Sequence, residues 1–307
     1  MIPDDLRWRK HSIPRIVLGT AQLGMHYGIA NVRGKPIETE VLEIVKAAWK
    51  SGIRFFDTAQ AYGDSEKVLG YALGYLGFVD ETKVVSKLSP RVDLQNRVAV
   101  SEAVEESRRN LGVQTMWGML LHRAEMLDVW DRGLGDALLE SRNRHAVKHL
   151  GVSVYTIDEA RRALEHPEID VIQIPCNAWD QRMSTSGILA LAERLDKLCF
   201  VRSIYLQGLL TMQPEDVAKR LPQARVAAER WHEISKKHNL VPVELAMRFA
   251  LSLRLPLVVG MESVEQVLET DRLVSQGPLP LHVTEEIQSM ISPVLREDIL
   301  DPRTWNI

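Results

Sequence analysis

The sequence predicts a single (β/α)8 barrel, and three observations carry that prediction. Short apolar runs alternate with helical patterns from one end of the chain to the other, and eight such runs occur. Each gap between them is long enough for the helical crossover that parallel pairing requires. No Pro/Gly/Ser-rich linker or low-complexity tract divides the 307 residues, so residues 1–307 read as one domain; barrels of this kind commonly run to about 250 residues as one unit. The competing architecture, a doubly wound open sheet, usually carries a Gly-rich fingerprint after its first strand. Gly19-Thr-Ala-Gln-Leu-Gly24 has the wrong spacing and leads into a loop.

The strands are expected at Arg15–Leu18, Ile53–Phe56, Lys83–Ser86, Gly118–Leu121, His149–Val154, Val171–Pro175, Phe200–Ser203 and Leu257–Val259. Between the first pair, Val41, Leu42, Val45, Ala48 and Trp49 recur at helical spacing and Gly52 marks the stop. Val68, Leu69, Ala72, Leu73 and Leu76 repeat the stripe in the next crossover. Thr156-Ile-Asp-Glu159 and Ser263-Val-Glu-Gln266 have capping-box form and open helices directly after strands. Two further helices are expected near Gln223–Lys237 and Val243–Leu253, each preceded by proline.

Composition is that of an ordinary globular protein, 45% hydrophobic and 26% charged. A net charge of -3 offers no general attraction to nucleic acid or anionic membrane. Met1–Lys10 mixes charges without an apolar core, unlike a secretory signal, and no run approaches the roughly 18 apolar residues of a membrane span. Cys176 and Cys199 lie in apolar runs and read as buried free thiols in a reducing compartment, so a cytoplasmic location is expected. His145 and His149 have i, i+4 spacing but no third ligand beside them, so no metal site is expected.

The chemistry concentrates in Asp57-Thr-Ala-Gln-Ala-Tyr62-Gly-Asp-Ser-Glu66, Lys87 and His122. Asp57, Lys87 and His122 each end an apolar run, and a parallel barrel gathers its strand ends at one face. Taken singly, each has a plain structural reading: a helix cap, a solvent-reaching lysine, a packed histidine, a loop tyrosine. Taken together they form a proton-transfer set. A tyrosine protonates a carbonyl oxygen efficiently if its pKa falls from about 10, and an ammonium nearby pushes it that way. Lys87 would supply that charge, Asp57 would hold Lys87, and His122 would position the substrate oxygen. No side chain donates hydride, so a nicotinamide cofactor is implied.

With Leu69-Gly70, Val85-Ser-Lys87 and Leu120-Leu-His122, this motif resembles the aldo-keto reductase family from about Ile16 to Thr270. The resemblance implies a (β/α)8 barrel that binds NADP(H), in some members NAD(H), across the C-terminal mouth. Residue by residue it implies Tyr62 as general acid, Lys87 as its partner, Asp57 as support and His122 as the orienting group. It further implies a dinucleotide site built from Gly19, Thr20 and Asp57, then Ser153 and Gln173 at the carboxamide. Arg202, Ser203, Tyr205, Gln207, Gly208 and Leu210 would follow strand seven, and Met261, Ser263, Gln266, Glu269 and Thr270 would follow strand eight.

Three departures qualify the match. Val154 stands where the family often has Asn, which removes a hydrogen bond of about 1 kcal/mol. Arg202 replaces the tyrosine usual beneath the nicotinamide; its guanidinium either stacks on the ring or forms a salt bridge in the barrel mouth. Gly260–Thr270 holds three Glu and no Lys or Arg, although a 2′-phosphate calls for a cation there; the helix N-terminus and Ser263 could still hold one. The balance leans slightly to NADP(H) over NAD(H). Tyr27, Arg123, Trp179 and Trp305, with Tyr62 and His122, are candidates to line a substrate pocket, and ordinary loop packing is the competing reading for the aromatics. The long loop Ala21–Gly34 resembles that of members acting on carbohydrates. The reaction expected is interconversion of a carbonyl and an alcohol on a small, sugar-like substrate. The alternatives are a nicotinamide-binding regulatory subunit with weak turnover and an unrelated barrel enzyme.

Overall fold

The structure, a computed structural model, describes residues 6–305. The first five residues of the stretch read as lacking a secretory signal therefore lie outside it. Two three-residue strands, β1 (Leu6–Trp8) and β2 (His11–Ile13), form an antiparallel hairpin. Eight parallel strands follow: β3 (Ile16–Gly19), β4 (Phe55–Asp57), β5 (Lys83–Leu88), β6 (Met116–Leu121), β7 (Val147–Ser153), β8 (Val171–Pro175), β9 (Leu198–Arg202) and β10 (Leu257–Gly260). They pair in sequence order, and β10 closes the barrel on β3 with Gly260 opposite Gly19. Each matches an expected run to within a residue or two at either end, the usual uncertainty of a boundary.

Strand periodicity sorts the core into two layers. Val17, Phe55, Val85, Leu120, Val171, Phe200 and Val258 fill the barrel interior. Their neighbours Leu18, Phe56, Val84, Leu121, Ile172, Val201 and Val259 face the surrounding helices. Side chains alternate with period two, so the residue two places beyond each interior apolar group points inward at the C-terminal mouth. Those residues are Gly19, Asp57, Lys87, His122, Gln173, Arg202 and Gly260, and Ser153 joins them from β7.

The crossover helices follow the apolar stripes. Glu38–Lys50 buries Val41, Ile44, Val45 and Ala48, and Ser65–Leu76 buries Leu69, Ala72 and Leu73. At Thr156 both halves of the capping box form. At Ser263 only half forms: its hydroxyl accepts from the Gln266 N–H, whereas the Gln266 side chain turns to the Glu262 N–H. The proline-preceded helices occupy Arg225–Lys237 and Pro242–Ser252. His145 adopts a positive φ of 61° in a turn and His149 lies on β7, so their four-residue spacing does not place them on one helical face. Within the described residues no helix is long and apolar enough to cross a membrane.

Two elements were not anticipated. The hairpin seals the N-terminal end of the barrel with Trp8 and Ile13, and Arg9 anchors it to Asp170 and Asp196. Its strands are too short to show periodicity, and its turn uses Arg9 at φ 50° instead of a turn-forming Asn or Gly. A further helix, Leu281–Ile291, packs on Arg225–Lys237.

The two glycines of Ser65–Leu76 have opposite roles. A Cβ on Gly70 would lie 2.0 Å from the Asn110 carbonyl oxygen, so the neighbouring helix Arg97–Leu111 touches its backbone. Gly74 is exposed with nothing within 4 Å. Gly70→Ala should therefore destabilise the protein by about 1–3 kcal/mol. Gly74→Ala should stabilise it by about 0.5–1 kcal/mol. Urea unfolding midpoints check both, and shifts of the same sign would contradict this packing.

Candidate active site

The site begins with Asp57 at the end of β4. Its Oδ2 accepts from Lys87 Nζ at 2.6 Å and its Oδ1 from Gln173 Nε2 at 2.8 Å. Lys87 also donates to the Thr58 carbonyl at 3.1 Å and is 1% exposed. Lys87 thus does not reach solvent. It lies inside the mouth, where an unpaired ammonium would be costly. Burial pulls its pKa down and the Asp57 carboxylate opposes that pull.

Tyr62 lies on the loop between β4 and Ser65–Leu76, and packing sets the shape of that loop. A Cβ on Gly24 would fall 2.1 Å from the Tyr62 carbonyl oxygen, so only glycine lets the segment after β3 approach so closely. Ser65 ties the same loop down through Thr20 and Thr58. Glu66 is buried and accepts from Ser86 at 2.6 Å and from Asn110. The Ser65-Glu66 part of the motif is therefore structural: it holds the tyrosine loop against the barrel.

The Tyr62 ring meets His122 edge-on, with centroids 5.5 Å apart, and Lys87 Nζ lies 5.0 Å from the Tyr62 ring centroid. The expected acidification of the phenol is not what this environment produces. Burial and the Asp57 carboxylate raise the Tyr62 pKa above its ordinary value, while Arg202 opposes them. The Lys87 charge is already engaged by Asp57. His122 is pushed down to about 3 by burial and by Lys87, Arg202 and Arg123, so its imidazole is neutral. Its Nδ1 is buried without a partner among the described residues.

A cleft of about 580 Å³ opens beside this group, within the range of small-molecule sites. Of the anticipated dinucleotide residues, Gly19, Thr20, Asp57, Gln173, Arg202, Ser203, Tyr205, Gln207, Gly208, Gln266, Glu269 and Thr270 line it. Ser153 is 3% exposed on β7, and Ser263 caps the helix Val264–Ser275 at one end of the cleft. The side chains of Leu210 and Met261 do not face it. Both are fully buried in apolar clusters, where hydrophobic side chains next to a polar cleft are expected to turn.

The substrate-side expectations need similar revision. Tyr27 lines the cleft near Tyr62, Tyr155 and Arg202, and burial raises its pKa. Arg123 is exposed and sits 3.9 Å from Glu125, away from the cleft wall. Trp179 and Trp305 are 2% and 8% exposed and pack into the second apolar cluster, Trp305 donating to the Asp298 carbonyl at 3.1 Å. Both rings are taken up in packing the loops, and neither lines the cleft. Of the two arrangements expected for Arg202, the salt bridge does not form. The guanidinium donates to the Val154 carbonyl at 3.0 Å and Ser203 Oγ at 3.2 Å, and makes no salt bridge among the described residues.

Sequence reasoning missed several residues of the mouth, Tyr155 and Gln22 among them. Tyr155 lies between two guanidinium groups, Arg202 at 4.1 Å and Arg303 at 3.7 Å. Its place just past the Gly151-Val-Ser153 strand end was the available signal. Gln22 fills the space a Cβ on Gly260 would need, its Nε2 2.4 Å from that position. Nothing in the sequence marks it.

The cleft fits a dinucleotide on its own terms. Gln173 Oε1 is buried without a partner while its Nε2 is tied to Asp57, so it can accept from a carboxamide N–H. After β9, Ser203, Leu206, Gln207 and Gly208 have φ of 59°, 48°, 56° and 90°. The N–H groups of Leu206, Gly208 and Leu209 close tight turns onto the Ser203, Tyr205 and Leu206 carbonyls, which brings the backbone of Gln207 and Gly208 to the cleft wall.

A model of the aldo/keto reductase family matches residues 15–292. Similar proteins include a D-threo-aldose 1-dehydrogenase from a Pseudomonas species, 27% identical over 274 residues that cover 76% of this chain and 83% of the relative. A D-arabinose 1-dehydrogenase from Saccharomyces cerevisiae is 25% identical over 282 residues, 83% of this chain and 81% of the relative. Among solved structures, an aldo-keto reductase from Bacillus halodurans in its holo form superposes with a TM-score of 0.78 at 20% identity, covering 97% of this chain and 99% of that one. A glycerol dehydrogenase from Gluconobacter oxydans gives 0.75 at 21% identity, covering 95% and 96%. The family match spans every strand of the barrel and includes Asp57, Tyr62, Lys87 and His122, and the chain belongs to the aldo-keto reductase family of oxidoreductases, which act between CH–OH and C=O.

Proposed function

We propose that this protein interconverts a carbonyl and an alcohol on a sugar-derived substrate, using NADP(H) or NAD(H), with Tyr62 as general acid and base. The observation that carries this reading is the buried Asp57–Lys87 pair adjoining Tyr62 and a neutral His122 at the edge of a dinucleotide-sized cleft. The two sugar 1-dehydrogenases among its relatives support a sugar-like substrate.

A bound nicotinamide supplies or accepts the hydride. His122, uncharged, offers the substrate oxygen a hydrogen bond without competing for its proton. In reduction, Tyr62 gives its proton to the oxygen as negative charge develops there. In oxidation Tyr62 must first lose its proton, and burial together with Asp57 opposes that loss. Lys87 and Asp57 hold the group in place and neutralise each other.

Both dinucleotides are accepted in this reading, with NADP(H) slightly ahead. Ser263 and the helix behind it offer a hydroxyl and N–H donors to a 2′-phosphate, while Glu262 and Glu269 line the same end of the cleft and oppose it.

Three outcomes are expected. Tyr62→Phe should lower turnover by about 10²–10⁴ while the reduced dinucleotide still quenches protein fluorescence; an unchanged rate would remove Tyr62 from the chemistry. Because His122 titrates at about 3 and the phenol above its ordinary range, kcat/KM for reduction should be flat from pH 5 to 8. Oxidation should rise with pH into the alkaline range. An inflection in the reductive profile near 6.5 would show a normally titrating His122 and contradict this environment. Titration with NADPH and NADH should give dissociation constants within about 100-fold, or 2.7 kcal/mol, of each other, and a wider gap would refute the balance assigned to Glu262 and Glu269.

A further inference from the structure

Arg202 is a cation without a counter-charge at the reacting end of the cleft. Other cations at the mouth are neutralised within the chain: Lys87 by Asp57 at 2.6 Å, Arg303 by Asp301 at 2.6 Å and Arg182 by Asp180 at 2.8 Å. Arg202 contacts only neutral groups, the Val154 carbonyl, Ser203 Oγ and the face of Tyr155, and its Nε is buried with no partner among the described residues. It borders the same cleft as Tyr62, Asp57 and Gln173.

That setting fixes what its charge acts on, given the nicotinamide reading above, on which this inference rests. Gln173 leaves one buried acceptor, Oε1, free for a carboxamide. The hydride-bearing carbon must also approach a carbon whose oxygen lies between Tyr62 and His122. Both conditions place the ring in the part of the cleft walled by Gln173, Tyr62 and Arg202. The oxidised ring carries a positive charge and the reduced ring carries none, whereas an alcohol and its carbonyl are both neutral. A fixed guanidinium therefore repels one redox form and leaves the other alone, and shielding from bulk water strengthens the effect.

We propose that Arg202 biases the bound nicotinamide electrostatically, so that the protein holds the reduced dinucleotide more tightly than the oxidised one and drives its bound equilibrium toward oxidation of the alcohol. In that direction the carbinol carbon gives up a hydride with both bonding electrons to the ring, and the hydroxyl proton passes to Tyr62 in its phenolate form. The alcohol is oxidised by two electrons, the ring is reduced by two, and the positive charge facing Arg202 disappears. The same guanidinium favours the Tyr62 phenolate that this direction requires.

The test is a pair of binding titrations, NADP⁺ against NADPH and NAD⁺ against NADH, followed by calorimetry on the intact protein, on Arg202→Gln and on Arg202→Lys. The unmodified protein should bind the reduced form at least about tenfold more tightly. Arg202→Gln should shrink that ratio by about tenfold, equivalent to about 30 mV in the potential of the bound couple, and Arg202→Lys should keep most of it. A ratio unchanged in Arg202→Gln, or equal loss of both forms, would overturn the proposal and leave Arg202 a structural residue. If Arg202→Gln does not fold, the unmodified protein decides: oxidised dinucleotide bound as tightly as reduced is equally fatal. Failure of all four dinucleotides to bind is a distinct result, because it removes the nicotinamide reading itself.

Discussion

A lysine and an aspartate buried together inside the barrel mouth organise this molecule. Moving a charged pair out of water is expensive, and the cost is recovered only when geometry and additional hydrogen bonds are good. Here Lys87 reaches Asp57 and the Thr58 carbonyl, and Asp57 in turn holds Gln173 from the far side of the barrel. One ion pair thus connects β4, β5 and β8. Removal of either partner would leave an uncompensated buried charge, a loss of about 3–5 kcal/mol. The hydrogen bonds that settle the pair are the same ones that leave Gln173 Oε1 free to meet a ligand.

The pair also decides the character of the tyrosine. An isolated ammonium at that distance would acidify a phenol, but this ammonium is engaged by a carboxylate, and the carboxylate acts on Tyr62 in the opposite sense. The phenol therefore keeps its proton, and an uncharged His122 lies against its edge. Reduction can use such a group directly. Loss of the proton is opposed by Asp57 and favoured by Arg202. The mouth contains two kinds of positive charge, one neutralised within the fold and one that meets only neutral groups.

Much of the rest of the site is scaffolding for these few atoms. Gly24 is a glycine because the backbone of the tyrosine loop occupies its Cβ position, and Ser65 and Glu66 anchor that loop to β3, β5 and a neighbouring helix. A motif that reads as catalytic in one dimension is thus about half positioning machinery in three. Two of the anticipated pocket aromatics turn away from the cleft, for a related reason. Trp179 and Trp305 have more to gain from apolar packing than from lining a pocket, and a list of loop residues cannot show which face of a loop is turned inward.

By itself, the sequence determined the barrel and the placing of Asp57, Lys87 and His122 at its mouth. Period-two runs ending in Asp57, Lys87 and His122 leave little freedom about where those side chains point, because parallel strands with helical crossovers must align their ends at one face. Tertiary structure decided the electrostatics, which depend on distances between residues far apart in the chain. Whether Lys87 faces Tyr62 as a free charge or as half of a neutral pair, and whether Arg202 finds a carboxylate or only carbonyl and hydroxyl oxygens, follows from three-dimensional neighbours. The hairpin across the barrel floor belongs with them: three-residue strands carry no periodicity, and only the apolar opening they cover explains their presence.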